Sequence, residues 1–198
     1  MIGRKSVVWL TLLMFFGLAV SAHANSILDQ NNPPNNVGLN DGDGLEWQQQ
    51  ITVGLGGTLS GITLYTNAGV DTDTIRIGVG SAPFTGSYSF ETTADITTAG
   101  TFIDISSANI ALNPGDFFVI DVSGGPGCCN FSGSVTPYPG GDLYLDVNGQ
   151  FQNYTQLFGY SMAFQTYMNT EVPEPGTLVF MGTGVLGLAG MLRRKINL

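Results

Sequence analysis

Short β-type runs separated by glycine-rich turns are the feature that most constrains the fold of this chain. Between residues 45 and 168 no stretch shows the 3.6-residue apolar period of an amphipathic helix. Apolar and polar residues alternate instead, as at Ile75, Ile77 and Val79. We predict eight strands: Glu46–Val53, Gly57–Tyr65, Thr74–Val79, Ser87–Thr93, Thr101–Ile105, Phe117–Val122, Leu143–Val147 and Met162–Met168.

Turn signals favour antiparallel pairing of these strands. Asn148 and Gly149 separate the run Leu143–Val147 from Phe151, and Asn-Gly is a strong signal for a two-residue hairpin. A second turn is predicted at Asn113–Asp116, where proline and glycine follow asparagine. Closely spaced turns between short strands indicate an all-β fold. We predict a single antiparallel β-sandwich of the jelly-roll type.

The predicted sandwich covers residues 46–170, after an extended lead-in at 25–45 that holds one short strand near Ile27 and Leu28. In the run 59–65, alternation places Ile62 and Leu64 on one face, and the opposite face receives Leu59, Gly61, Thr63 and Tyr65. The expected core residues are Ile62, Leu64, Ile75, Ile77, Phe118, Ile120, Leu143, Leu145 and Phe164.

The N-terminal residues 1–24 have the pattern of a secretory signal peptide. Arg4 and Lys5 form a basic region, and the apolar run Val7–Val20 follows it. Ala22 and Ala24 then give the small-x-small pattern that signal peptidase cuts. A retained membrane helix is the alternative. The predicted mature chain starts after residue 24.

The C-terminal residues 171–198 combine three features in a fixed order. A Pro-Glu-Pro sequence at 173–175 holds the chain extended. Uncharged, mostly apolar residues follow at 177–192, and three cations close the segment. A helix of this length spans about 24 Å, short of a bilayer core of roughly 30 Å, so we predict a transient transmembrane helix. A permanent tail anchor and a buried core helix are the alternatives.

This order resembles the PEP-CTERM sorting signal. The residues that carry the resemblance are Val172, Pro173, Glu174, Pro175, Arg193, Arg194 and Lys195. It implies recognition by an exosortase, a membrane-embedded cysteine protease that cuts near the Pro-Glu-Pro, in a Gram-negative-type bacterium that secretes exopolysaccharide. The runs 111–120 and 162–167 are also similar to the closing strands of β-sandwich domains common in PEP-CTERM proteins.

The charge of the processed body excludes several classes of function. Removal of both ends leaves Arg76 as the only basic residue and takes away the only histidine, His23. Ser-His-Asp and Cys-His mechanisms are therefore excluded. Binding to nucleic acid is excluded as well, because it needs a positive surface. We expect a protein without enzymatic activity, and a carboxylate-based glycan-active enzyme is the outlying alternative.

Cys128 and Cys129 are adjacent and, after export, would stand in an oxidising compartment. A bridge between neighbouring cysteines forms a strained ring, because ordinary disulfides need a larger separation of the two Cα atoms. A disulfide between the two on an exposed loop is the leading prediction. Bonds to other chains and free thiols are the alternatives.

Two acidic turns predict structural calcium. Asp41 and Asp43 lie in one glycine-rich turn, and Asp71 and Asp73 in another. Carboxylate oxygens on tight turns suit Ca²⁺, but neither turn completes an EF-hand loop. Solvated acids without a metal are the alternative, and no other cofactor is expected.

The stretch 138–160 is the densest mixture of aromatic and amide side chains. Sugars stack on aromatic rings and form hydrogen bonds with amides, so we predict a sugar-binding face here. Its residues are Tyr138, Tyr144, Phe151, Tyr154 and Tyr160. Core packing of the same aromatics is the competing interpretation.

These observations predict an exported, exosortase-processed, non-catalytic protein of the cell envelope or the exopolysaccharide (biofilm) matrix. The expected partners are signal peptidase, exosortase, the inner membrane in transit through residues 177–192, and extracellular polysaccharide. A specific carbohydrate-binding module is the alternative.

Overall fold

The structure, a computed structural model, describes residues 25–40, 42, 45–67, 69–124 and 131–170. They belong to one compact unit, Asn25–Glu171. The strands are β1 (Asn25–Asn32), β2 (Asn36–Leu39), β3 (Leu45–Thr52), β4 (Gly57–Leu64), β5 (Val70–Val79), β6 (Phe90–Thr97), β7 (Thr101–Asp104), β8 (Ala111–Leu112), β9 (Phe117–Gly124), β10 (Phe131–Ser134), β11 (Leu143–Val147), β12 (Gln150–Asn153), β13 (Ser161–Met162) and β14 (Phe164–Thr170). A 3₁₀-helix (Ser106–Ala108) and an α-helix, α1 (Tyr154–Phe158), complete the elements.

The strands pair into three sheets. The five-stranded sheet has the order β1-β14-β4-β7, with β8 also paired to β4. The six-stranded sheet has the order β12-β11-β3-β9-β5-β6, and the three-stranded sheet the order β13-β10-β2. Every strand pair is antiparallel. The predicted all-β, antiparallel architecture is confirmed, and the jelly-roll sandwich stays a prediction.

The segment 25–45 holds two strands rather than one short strand. Strand β1 pairs with β14 at the other end of the described body, from the Asn25–Thr170 pair to the Asn32–Phe164 pair, with a register shift between Leu28 and Gln30. Pairing across that sequence distance has no local signal, which is why the polar sequence indicated only a lead-in.

The two large sheets bury one hydrophobic core. All nine residues predicted for the core are buried, with exposed fractions of 7% or less. Alternation explains this result, since every second side chain of a strand lies on the same face of its sheet. The core face of β3 also carries Gln49, whose side-chain oxygen accepts a 2.9 Å hydrogen bond from the backbone of Met162. This buried amide connects the six-stranded and three-stranded sheets.

The predicted facing of Leu59 is wrong. Leu59 is fully buried, as is Ile62, although the two are three positions apart. The register with β14 shifts here, since Tyr167 pairs with Gly61 and Met168 with Leu59. The extra residue in β4 is a β-bulge, and a bulge moves the side chains before it to the other face.

The absence of helix in the predicted body also needs correction. Asn153 begins α1, because its side chain accepts a hydrogen bond from the backbone of Gln156, and Gly159 ends it in the left-handed conformation. Five residues are too few to show a helical period. Within the described ranges no helix is long and apolar enough to span a membrane. The predicted sorting helix at 177–192 lies outside these ranges.

Both predicted turns are present. Asn148 and Gly149 have φ angles of 56° and 82°, and they join β11 to β12 as a hairpin. In the turn at Asn113–Asp116 the backbone of Asp116 donates to the oxygen of Asn113 at 3.0 Å. Gly115 has a φ of 89°, which a side chain would make costly.

Strand β5 offers a matched test of the core. Ile77 is fully buried and Val79, two positions on, is 45% exposed. We expect Ile77→Ala to lower the free energy of unfolding by about 2–5 kcal/mol, because it leaves a cavity. Val79→Ala should change it by less than about 0.5 kcal/mol. Urea denaturation followed by fluorescence measures both, and equal losses would contradict this placement of the core.

Candidate functional site

A row of polar side chains crosses the outer face of the six-stranded sheet, opposite its core face. The strand registers align Tyr144 with Gln48, Gln48 with Asp121, Asp121 with Arg76, and Arg76 with Glu91. Residues paired directly across antiparallel strands lie on the same face. Side chains from five strands therefore meet in one line, although they are far apart in the sequence.

Arg76 is surrounded by three carboxylates. Its Nε lies 2.8 Å from Glu91 Oε2, and its Nη1 lies 3.2 Å from Asp121 Oδ1 and 3.5 Å from Glu46 Oε2. The guanidinium also lies 5.5 Å from the ring centroid of Tyr88. The side chain of Asp121 is fully buried and that of Glu91 is 62% exposed, so the row runs from the protein interior to solvent.

The segment 80–89 covers part of this row. Gln48 holds it through two hydrogen bonds to Phe84: its Oε1 accepts from the backbone nitrogen at 2.7 Å, and its Nε2 donates to the backbone oxygen at 3.0 Å. Gln50 Oε1 accepts from the backbone of Ala82 at 3.0 Å. The Phe84 ring lies over Gly78, where an added Cβ would come within 2.4 Å of it.

Asp121 joins the covering segment to the sheet. Its Oδ2 accepts hydrogen bonds from the Tyr88 hydroxyl at 2.5 Å and from Gln48 Nε2 at 3.0 Å. Burial, and then the hydrogen bond with Glu46, raise the pKa of Asp121 to about 7. Burial opposes ionisation of Glu46 as well, but its hydrogen bonds to Asp121 and Gln48 and the charge of Arg76 leave its pKa lowered.

A carboxyl group with a pKa near neutrality beside a carboxylate is the chemistry of a general acid. The Asp121 carboxyl group is not accessible to a substrate, which argues against that role. Asp121 is fully buried, and its two oxygens already bond to Arg76, Tyr88 and Gln48. The cluster fastens the segment 80–89 to the sheet and leaves no carboxyl oxygen of Asp121 open to a substrate.

The structure divides the residues predicted for the sugar face. Tyr144 and Phe151 lie on the outer face of the six-stranded sheet, where Phe151 pairs with Asp146. Tyr154 lies on the opposite side, edge-to-face with the buried Trp47 at 4.8 Å, and Tyr160 packs against the same core.

The placement of Tyr138 on an exposed sugar face is wrong. This residue is 7% exposed, and its ring packs edge-to-face on Phe164 at 5.0 Å. Its backbone nitrogen also donates to the Ser161 hydroxyl at 3.1 Å. Core packing accounts for Tyr138, and the sugar-binding role of the other predicted aromatics stays a prediction.

A second aromatic group, which no local sequence pattern indicates as a binding surface, lies on the five-stranded sheet. It consists of Tyr65, Phe102 and Tyr167, and Phe102 and Tyr167 are in contact with ring centroids 5.5 Å apart. Alternation placed Tyr65 on the face of Gly61 and Thr63. Only the pairing of β4 with β7 and β14 adds the other two rings.

Two of the four predicted calcium residues are described. The prediction that Asp71 and Asp73 lie on a turn is wrong. Both belong to strand β5, where they lie on the core side in phase with Ile75 and are 1% and 0% exposed. Among the described residues, no group of three or more acidic, histidine or cysteine side chains is placed to hold a metal. The other predicted site residues lie outside the described ranges: Asp41, Asp43, Cys128, Cys129, Ala22, Ala24, Val172, Pro173, Glu174, Pro175, Arg193, Arg194 and Lys195.

The fold and charge define an acidic, all-β body followed by a separate C-terminal segment. Residues 171–195 match the family model of the PEP-CTERM protein-sorting motif, so the predicted resemblance is confirmed. The motif implies an exported protein that is targeted to an exosortase, with membrane-anchored transit toward the cell surface. No family model matches the rest of the chain. No curated protein matches it either.

The raised pKa of Asp121 predicts a pH dependence of stability. Its ordinary value is 3.8, so between that pH and about 7 the folded protein keeps a proton that the unfolded chain releases. We therefore expect the free energy of unfolding to fall as the pH rises from about 5 to about 7. The lowered pKa of Glu46 acts below 4.5, outside this range.

Asp121→Asn removes the titrating group and should flatten this dependence in urea titrations at several pH values. Asp95→Asn, at an exposed position of β6, is the control and should keep the slope of the unmodified protein. The same slope for Asp121→Asn and the unmodified protein would show that Asp121 is ionised throughout the range.

Proposed function

We propose that this protein is a non-catalytic component of the cell envelope or the exopolysaccharide matrix, delivered through a signal peptide and released by exosortase. The observation that carries the proposal is the sorting motif at residues 171–195. It brings an acidic body to the compartment in which secreted polysaccharide accumulates. Weak adhesion to that polysaccharide is the activity that we assign to the body.

The chemistry of the body supports a non-catalytic role. Its sequence after residue 24 contains no histidine, and Arg76 is its only basic residue before the sorting segment. Glu46 and Asp121, two neighbouring carboxyl groups with shifted pKa values, are engaged with Arg76 under the segment 80–89. A glycoside hydrolase needs two carboxyl groups on either side of an accessible bond, and Asp121 does not meet that requirement.

A dedicated carbohydrate-binding module is the second candidate. The exposed Phe102, in contact with Tyr167 on the five-stranded sheet, favours it. This candidate differs from general adhesion in requiring one defined site, which single substitutions would remove.

The Pro-Glu-Pro sequence should control release of the body. We expect Pro173→Ala/Pro175→Ala to keep the full-length chain in the membrane fraction, because the extended site of cleavage is lost. The matched control is Pro33→Ala/Pro34→Ala, which removes two exposed prolines outside the motif and should leave secretion unchanged. Immunoblots of membrane and extracellular fractions measure the distribution.

Mass spectrometry of the extracellular protein gives the second readout. We expect its last peptide to end near residues 172–175. A mature extracellular protein that still contains the peptide ending at Leu198 would contradict exosortase processing.

Structural calcium on Asp71 and Asp73 is part of the proposal, because two buried carboxylates on one strand face suit a hard cation. A ligand that binds only the folded state raises stability. We expect millimolar CaCl₂ to raise the thermal midpoint above its value in EDTA. Asp71→Asn/Asp73→Asn should abolish the difference, and Asp95→Asn should keep it. Equal midpoints in CaCl₂ and EDTA would remove calcium from the proposal.

A further inference from the structure

The outer face of the five-stranded sheet brings two rows of side chains together. In one row, Thr63 of β4 pairs with Phe102 of β7 and with Gln165 of β14. In the next row, Gly61 pairs with Asp104 and Tyr167. Since directly paired residues share a face, Phe102, Tyr167 and Gln165 all lie on the side opposite the core.

The Phe102 side chain packs against the backbone of Gly61 and is at the same time largely exposed to solvent. An added Cβ on Gly61 would come within 2.3 Å of the Phe102 ring, so the ring rests directly on the backbone there. The side chain nevertheless remains 53% exposed. Tyr167 packs against it at 5.5 Å with an interplanar angle of 69°, which holds the ring in place.

Tyr65 extends the aromatic surface along β4. Its ring lies over Gly100, where an added Cβ would come within 2.6 Å of it and within 3.0 Å of Thr63. Burial, and then the electrostatic effect of Tyr167, raise the pKa of Tyr65. Alternation along β4 puts Tyr65 on the same face as Thr63 and Gly61, which pair with Phe102 and Tyr167, so the three aromatic residues share this face of the sheet.

Polar groups border the rings in a fixed arrangement. The Tyr167 hydroxyl donates to Gln165 Oε1 at 2.7 Å, and Gln165 Nε2 donates to Asn31 Oδ1 at 3.2 Å. Each amide nitrogen carries two protons, so both amides keep donors beyond these bonds. Asn31 is exposed on β1, which places its free donors at the surface beside the rings.

The charge of this face selects among ligands. Arg76 is the only basic residue that the structure describes, and it lies on the six-stranded sheet. An anionic polymer would find no cation among the described residues of the aromatic face, and the net charge of the chain is −9. An uncharged ligand avoids this repulsion.

We propose that the face formed by Tyr65, Phe102 and Tyr167, with Gln165 and Asn31 at its border, binds an uncharged, pyranose-based polysaccharide. The apolar faces of the sugar rings stack on the aromatic rings, and the hydroxyl groups form hydrogen bonds with the amides. Such a mixture of aromatic surface with a few oriented polar groups is typical of ligand sites. The inference rests on the proposed function in its second form, a carbohydrate-binding module with one defined site, and places that site on the five-stranded sheet rather than in the stretch 138–160.

The competing explanation is that Phe102 only covers Gly61, since aromatic rings often protect glycines in strands. The substitution Phe102→Leu distinguishes the two roles, because leucine still covers Gly61 with apolar atoms but has no aromatic ring on which a sugar could stack. Phe158 gives a matched control for exposure: it is 56% exposed and lies at the end of α1, within the stretch predicted from the sequence.

The experiment is affinity gel electrophoresis of the full chain in a polyoxyethylene detergent, which has no sugar headgroup. Gels contain hydroxyethylcellulose or glucomannan as neutral polymers, or alginate as an anionic polymer. We expect the unmodified chain to be retarded in the neutral gels only. Phe102→Ala and Phe102→Leu should each weaken binding about tenfold, equivalent to about 1.4 kcal/mol, and Phe158→Ala should change it by less than about twofold. Thermal midpoints of all variants are measured in parallel.

Each other outcome overturns a defined part of the inference. Normal binding by Phe102→Leu with loss in Phe102→Ala would show that the ring only covers Gly61. Normal binding by both Phe102 variants would place adhesion elsewhere, and loss in Phe158→Ala would place it near α1. Equal retardation in alginate would exclude selectivity for uncharged polymers. No retardation of the unmodified chain in any gel would reject the adhesive function itself.

Discussion

Burial of one face of each large sheet is the constraint on which the rest of this structure depends. The alternation of side chains along β3, β5 and β9 sends their apolar residues into the shared core. Burial of this apolar surface is the main stabilising contribution to such a body. Because side chains alternate, every second residue of the same strands must lie on an outer face. Core packing does not restrict the residue type there, so these positions are available for function.

The two outer faces use this freedom differently. On the six-stranded sheet, Arg76 and its three carboxylates form a charged row, and the segment 80–89 closes over part of it through Gln48, Tyr88 and Asp121. On the five-stranded sheet, the aromatic side chains remain at the surface. A buried ion pair contributes little net stability, because desolvation of the charges offsets their attraction. The hydrogen bonds of Gln48 and Asp121 hold the covering segment on the sheet, and the aromatic face is the surface on which we propose contact with a partner.

The sorting motif and the body give different information about function: the motif concerns where the protein goes, and the body concerns what it binds. Residues 171–195 imply export and targeting to an exosortase. They carry no information about what the body binds. The proposal that the body adheres to a neutral polysaccharide is supported by its acidic composition and by the exposed Phe102 on the five-stranded sheet.

The local chemistry of the sequence by itself determined much of this protein: the sorting motif, the all-β class, the antiparallel turns at Asn148 and Asn113, and the alternating core residues. These signals lie within continuous stretches of the chain, so the sequence displays them directly. The tertiary structure alone decided which strands are neighbours. It turned Leu59 inward through a bulge, buried Tyr138, aligned Arg76 with Asp121, and joined Tyr167 to Phe102. Strand order and register depend on contacts between distant segments, and no local pattern encodes them.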